Sequence, residues 1–140
     1  MRRLAFLLLC LTGPALAAPV AVMAGSRAPD FSRADFGGKT VTLSAYRGKV
    51  VLLDCWASWC APCLEEMPDL IGLQKQNGGK LQVIGVSMDD GPDAAKSITK
   101  HFSFNYPLLM GDAKFGNLYG GVLGLPEIFL IGRDGKVLKR

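Results

Sequence analysis

The stretch "VVLLDCWASWCAPCLEEMPDL", Val50 to Leu70, decides the fold. Its first half, with Lys49 before it, is an apolar run rich in β-formers, the pattern of a strand buried on both faces. The second half predicts a helix from about Cys60 to Gln76, closed by Asn77-Gly78-Gly79. Two cysteines therefore stand at the start of a helix, just beyond the carboxyl end of a core strand. Reaction sites in open α/β sheets lie at that end.

A Cys-x-x-Cys pair placed there has a definite chemistry. Its two sulfurs can close a small disulfide with little backbone movement. Only Cys60 lies at the open helix end, where free N–H groups and the helix dipole favour a thiolate. A thiolate is the nucleophile of disulfide exchange. Cys63, one turn inside, is shielded and can attack only a mixed disulfide that Cys60 has already formed. Pro62 suits the first turn, where a missing N–H costs nothing.

Working outward, "LQVIGVSM" reads as a second buried strand and Pro92-Asp93 as the start of a helix to about Phe102. "YPLLMG" is a short extended piece, and Asp112 caps a brief helix through Leu118. "EIFLIG" is a third core strand, Arg133-Asp134-Gly135 a turn, and "KVLK" the start of a fourth strand antiparallel to it. Upstream, two short extended pieces flank Gly37-Gly38, and a loop runs through Arg47-Gly48. The order predicts an α/β fold with a mixed central sheet flanked by helices and an N-terminal β extension.

The chain of 140 residues, 49% hydrophobic with a net charge of +4, is one domain's worth of sequence. Its first residues read otherwise. Arg2-Arg3, the apolar run Leu4 to Leu11 and Ala15-Leu16-Ala17 form a secretory signal over residues 1–17, cleaved after Ala17. An uncleaved membrane anchor is the weaker alternative. Residues 18–27 read as a flexible lead-in and 28–140 as the domain.

Cleavage removes Arg2 and Arg3 from the 16 basic residues and leaves all 12 acidic ones, a balance of +2. The charge argument for nucleic acid or an anionic membrane then dissolves. Cys10 leaves as well, so Cys55, Cys60 and Cys63 face an oxidising compartment, the periplasm or cell envelope. Three clustered cysteines are too few for a structural framework, so the pair is there to react.

Competing uses of the pair fail on particular residues. A zinc site lacks two further ligands. A c-type haem attachment needs a histidine where Leu64 stands. A peroxidatic site needs a proline and a threonine at the positions held by Leu53 and Ala57. No cofactor and no stable metal is expected.

"WCAPC", Pro68 and Leu125-Pro126 resemble the thioredoxin superfamily. "APDF", "GKVVLL", "IGVSMDD", "YPLLMGD" and "YGGVLGLPEIFLIGRDGKV" are similar to the exported TlpA/ResA/CcmG-like thiol-disulfide oxidoreductases, from about Ala28 to Val137. The resemblance implies that Cys60 attacks and Cys63 resolves. It also implies a cis Leu125-Pro126 bond facing the disulfide, with Leu125 offering backbone groups to an extended substrate, Trp59 against the active site, and a kink at Pro68. Glu127 leans slightly towards the cytochrome c maturation branch.

Asp54 stands where thioredoxin carries a buried acid. In an apolar strand its pKa should rise towards neutrality, so it can take the proton from Cys63. The bland alternative is an acid with access to water. Cys55, on the opposite face, reads as a buried filler, and Trp56 as packing under the site. Glu65 and Glu66 suit the first turn of the helix, His101 the surface, and Asp89-Asp90 a solvated loop or cap.

The family continues into a completed strand and a covering helix, whereas this chain stops at Lys139-Arg140, so a C-terminal helix is expected to be missing and an apolar face uncovered. The function implied is disulfide reduction on exported, disulfide-containing proteins, recharged by a membrane thiol donor. A thiol oxidase of the same fold is the runner-up, and a catalytically weak binding remnant the alternative from another class.

Overall fold

The structure, a computed structural model, describes residues 21–140. The expectations on Arg2, Arg3, Cys10 and the cleavage site after Ala17 lie outside the described residues. A hairpin of β1 (Ser32–Ala34) and β2 (Thr40–Thr42) leads through a short 3-10 helix, Leu43–Tyr46, into the main sheet. The hairpin turns at Gly38, whose φ of +87° a side chain would resist.

The sheet is built from β3 (Val50–Trp56), β4 (Leu81–Ser87), β5 (Leu108–Met110), β6 (Glu127–Ile131) and β7 (Val137–Lys139), in the order β5-β4-β3-β6-β7. β3, β4 and β5 are parallel, while β6 runs antiparallel to β3 and to β7. This is the expected mixed sheet, with the cysteine-bearing strand at its centre. "YPLLMG", read only as an extended piece, supplies the edge strand β5.

Helices α1 (Ala61–Asn77), α2 (Pro92–Ile98) and α3 (Ala113–Leu118) flank the sheet. α1 begins at Ala61, so Glu65 and Glu66 fall in its second turn rather than its first. Pro68 sits inside α1 on its exposed side, and without an N–H it cannot bond the Leu64 carbonyl. α2 stops at Ile98, short of the expected Phe102, and gives way to i→i+3 bonds at Thr99, Lys100 and His101. The hydroxyls of Ser97 and Thr99 bond the carbonyls three residues back and compete with helical bonding. α3 is capped as expected, with Asp112 accepting from Phe115 N–H at 2.7 Å.

Alternation along β3 separates two cores. Val51, Leu53 and Cys55 join Phe115, Tyr119, Phe129 and the N-terminal residues Val22, Ala28 and Phe31. Leu52 and Trp56 pack with Met67 and Leu70 of α1, Ala95 of α2, and Tyr106 and Leu108. Between those two on β3, Asp54 faces the α1 side.

The lead-in differs from its expected flexibility over its described part. Gly25 N–H bonds the Val137 carbonyl and Val137 N–H returns to Ser26, while Ala28 N–H bonds Gly135. Buried Val22 and Ala28 add apolar anchors, so backbone pairing to β7 and burial together hold the segment down.

β7 is the last element described. On the α1 side of the sheet, half-buried Leu52, Ile128 and Leu130 line a groove of about 410 Å³, with Glu66, Lys139 and Arg140 around it.

Gly85 of β4 pairs with Asp54 and keeps space open beside it. A Cβ there would meet Leu108 Cδ2 at 2.6 Å, Trp56 Nε1 at 3.2 Å and Tyr106 Cε2 at 3.5 Å. Leu108 is buried among these rings and has little room to yield. Gly85→Ala is therefore expected to lose about 1–3 kcal/mol of stability through overpacking, read by urea unfolding.

Candidate functional site: a disulfide at a helix N-cap beside a buried acid

β3 ends at Trp56, and the chain turns from Ala57 to Cys60, where Cys60 N–H bonds the Ala57 carbonyl at 3.1 Å. Cys60 has extended backbone and caps α1, its Sγ accepting from Cys63 N–H at 3.3 Å. Cys60 and Cys63 form a disulfide with their Cα atoms 5.3 Å apart. Exposure does not separate the two sulfurs, since Cys60 is 4% and Cys63 1% accessible. What separates them is position, Cys60 at the free helix end and Cys63 within the first turn.

The peptide bond before Pro126 is cis, as the resemblance implied. Half-buried Leu125 packs against both cores, including the one that holds Cys60 and Cys63. Trp59 is 72% exposed, so it projects beside the cysteine turn instead of covering it. Leu123, two residues before Leu125, is 93% exposed.

Asp54 is almost completely buried, and its Oδ1 has no hydrogen-bond partner. Burial, reinforced by the Glu66 carboxylate, pushes its pKa up to about 7. The sequence reading had given Glu66 only a place at the helix start, not a part in the site. Its Oε2 is also buried without a partner, one turn beyond Cys63 on α1. The i, i+3 spacing from Cys63 was the available signal. Trp56 Nε1 and Tyr106 Oη are two more unpartnered buried atoms on this face. Burial, with Asp54 adding to it, pushes the Tyr106 hydroxyl up as well.

Cys55 lies fully buried in the opposite core. Burial first, then the Asp54 and Glu127 carboxyls, push its thiol up, which leaves no reactive thiolate near neutrality. His101 is exposed, as expected. Asp89 is not a solvated loop residue. It is 7% exposed and accepts hydrogen bonds from Ser58 N–H at 2.9 Å, Ser58 Oγ at 2.6 Å and Ser87 Oγ at 2.7 Å. Neighbouring Asp90 is exposed, so the two acids of "MDD" differ in kind.

A mixed sheet that presents a Cys-x-x-Cys disulfide at a helix N-cap, with a cis-proline loop and a buried acid, defines a thioredoxin-like thiol-disulfide oxidoreductase. The chain belongs to the AhpC/TSA family, whose model matches residues 24–140, and within it to the ResA-like thiol-disulfide oxidoreductases. It is 35% identical to the thiol-disulfide oxidoreductase ResA of Bacillus cereus over 120 residues, 82% of this chain and 67% of that one. It is 39% identical to the thiol:disulfide interchange protein HelX of Rhodobacter capsulatus over 123 residues, covering 84% and 67%. The crystal structure of a thiol:disulfide interchange protein DsbE from Chlorobium tepidum superposes with a TM-score of 0.78 at 35% identity, over 84% of each chain.

Proposed function

We propose that this oxidoreductase works as a reductant of disulfides in exported proteins, within the periplasm or cell envelope. The observation that carries the exchange step is Asp54, a buried carboxyl that changes charge near neutral pH. Such a group suits the step in which a shielded thiol must lose its proton in order to attack.

In the reduced protein the Cys60 thiolate attacks one sulfur of a client disulfide. The client's other sulfur leaves as a thiolate and takes a proton from water, and a Cys60–client disulfide remains. Cys63 then passes its proton to Asp54 and attacks Cys60 Sγ. The client's second sulfur leaves with the electron pair of the broken bond, and the protein is left with its Cys60–Cys63 disulfide. A membrane thiol donor must supply two electrons and two protons to restore the dithiol.

The client segment lies extended along Leu125 and Pro126, bonding the Leu125 backbone, with Trp59 offering an apolar flank. Apocytochrome c is one fitting client, in keeping with Glu127 after the cis-proline. No nucleic acid, metal or cofactor takes part in this scheme.

The test is the reduction potential, read from Trp56 and Trp59 fluorescence in dithiol–disulfide buffers. A value near thioredoxin's, about −270 mV, is expected for a reductant that needs a donor. A value near about −120 mV overturns the reductant reading in favour of an oxidase.

A further inference from the structure

We propose that Asp89 is a positioning residue for Cys60: its carboxylate clamps Ser58, and through Ser58 the turn that presents the nucleophile. The inference rests on Cys60–Cys63 exchange, and it holds for either electron direction.

Ser58 and Trp59 are the two central residues of the Ala57–Cys60 turn, which is closed by the Cys60 N–H bond to Ala57. Ser58 uses both its donors on Asp89, the N–H on Oδ2 and the hydroxyl on Oδ1. Ser87, in register with Trp56 at the end of β4, donates its hydroxyl to Oδ2 and accepts the Asp89 N–H at 3.1 Å. The next residue, Met88, donates its N–H to the Trp56 carbonyl at 2.7 Å. The carboxylate thus accepts from three donors and is itself fixed to the end of β4.

No other bond from the body of the fold reaches Ser58 among the described residues, and Trp59 beyond it faces solvent. The consequence is specific to Cys60. Its Sγ serves as the N-cap, and its orientation against the helix end follows from the dihedrals of the preceding turn. Two bonds from Ser58 to one buried side chain, itself anchored on Ser87, fix the direction of the turn through their geometry. A clamp serving only stability could lie anywhere on the β3–β4 seam. This one grips the turn residue two positions before the nucleophile, at the carboxyl end of the parallel strands.

The experiment follows the second-order reaction of the reduced protein with a small aromatic disulfide, together with thermal unfolding. Asp89→Ala is expected to slow the attack by Cys60 about ten-fold, since small misplacements of a reacting group cost that much or more. Asp89→Asn is expected to stay within about two-fold, because the amide oxygen can take the bonds of Oδ2 while the NH₂ donates to Ser58 Oγ. Ser58→Ala should be slowed about three-fold, with no further loss when combined with Asp89→Ala. Asp90→Ala removes a neighbouring exposed charge and should react as the wild type does.

Three outcomes overturn the proposal. One is an Asp89→Ala protein that melts earlier but reacts within two-fold of wild type. Another is an Asn variant as slow as the Ala variant, which makes charge, not bonding geometry, the cause. The third is independent, multiplying effects of Ser58→Ala and Asp89→Ala. Should Asp89→Ala not fold, Ser58→Ala and Asp89→Asn decide: a wild-type rate for Ser58→Ala refutes the clamp. These readings do not depend on the reduction potential, so failure here and failure of the reductant reading are distinguishable.

Discussion

Replacing Cys63 with alanine is expected to turn the protein into a trap for its clients. Cys60 retains its place at the helix end and still attacks a disulfide, but nothing remains to release the mixed disulfide that forms. The covalent adduct accumulates and dissolves only when an external thiol is added, as non-reducing electrophoresis and mass spectrometry would display. Cys60→Ser has the opposite phenotype. Cys63 lies within the first turn, away from the free helix end, and a serine hydroxyl at position 60 is not ionised at neutral pH. Exchange should fall by about a thousand-fold or more, the scale on which loss of a nucleophile acts. An adduct formed through Cys63 in the Cys60→Ser protein would reverse the assigned roles.

The second large effect concerns Asp54 and is a matter of sign. Its carboxyl titrates at about 7 in the folded protein against an ordinary 3.8. Between those values the folded chain holds a proton that the unfolded chain has released, so stability falls as pH rises through the window and levels off above about 7. Giving up that proton in the folded state costs on the order of 4 kcal/mol. Asp54→Asn removes this burden. The variant should gain stability over the wild type at pH 8 by an amount approaching that figure, with little difference between the two proteins at pH 4. A difference that does not change with pH would rule out the buried, proton-holding carboxyl. The same substitution should slow release of the mixed disulfide at neutral pH by about a hundred-fold, the low end of what a positioned proton acceptor contributes.

The cysteine pair and Asp54 were legible early for different reasons. Cys60 and Cys63 announce themselves because helix geometry places i and i+3 side by side, and the glycine-free apolar run before them can only be a core strand. Asp54 was legible because an acid within the apolar run "VVLLDCW" stands out, and burial predicts the direction of its shift; that it is buried and not open to water was decided by the structure. Cys55 followed from the same alternation. The mixed sheet, the cap at Asp112 and the cis bond at Leu125-Pro126 were expected from turn and cap residues together with the resemblance, and the structure has them.

Other features required the folded chain. Residues 21–28 carry no periodic signal, and β7 holds them only once β6 and β7 have formed a sheet edge. Trp59 turned outward, because the clamp on Ser58 sets the direction of the turn. Glu66 acquires meaning only when α1 settles over β3 and brings a second carboxyl into the field of Asp54.

Asp89 is the sharpest case. In sequence it is half of an acidic pair before a helix, with nothing to distinguish it from Asp90. Its partner Ser58 lies 31 positions away, and only the parallel register of β3 with β4, which sets Trp56 beside Ser87, brings the two together. The sequence by itself determined the chemistry, because the reacting pair and its helix cap are local and spaced by covalent geometry. The aim of that chemistry was left to the tertiary structure, because the bonds that orient Cys60 cross between strands, and strand register is a property of the whole sheet.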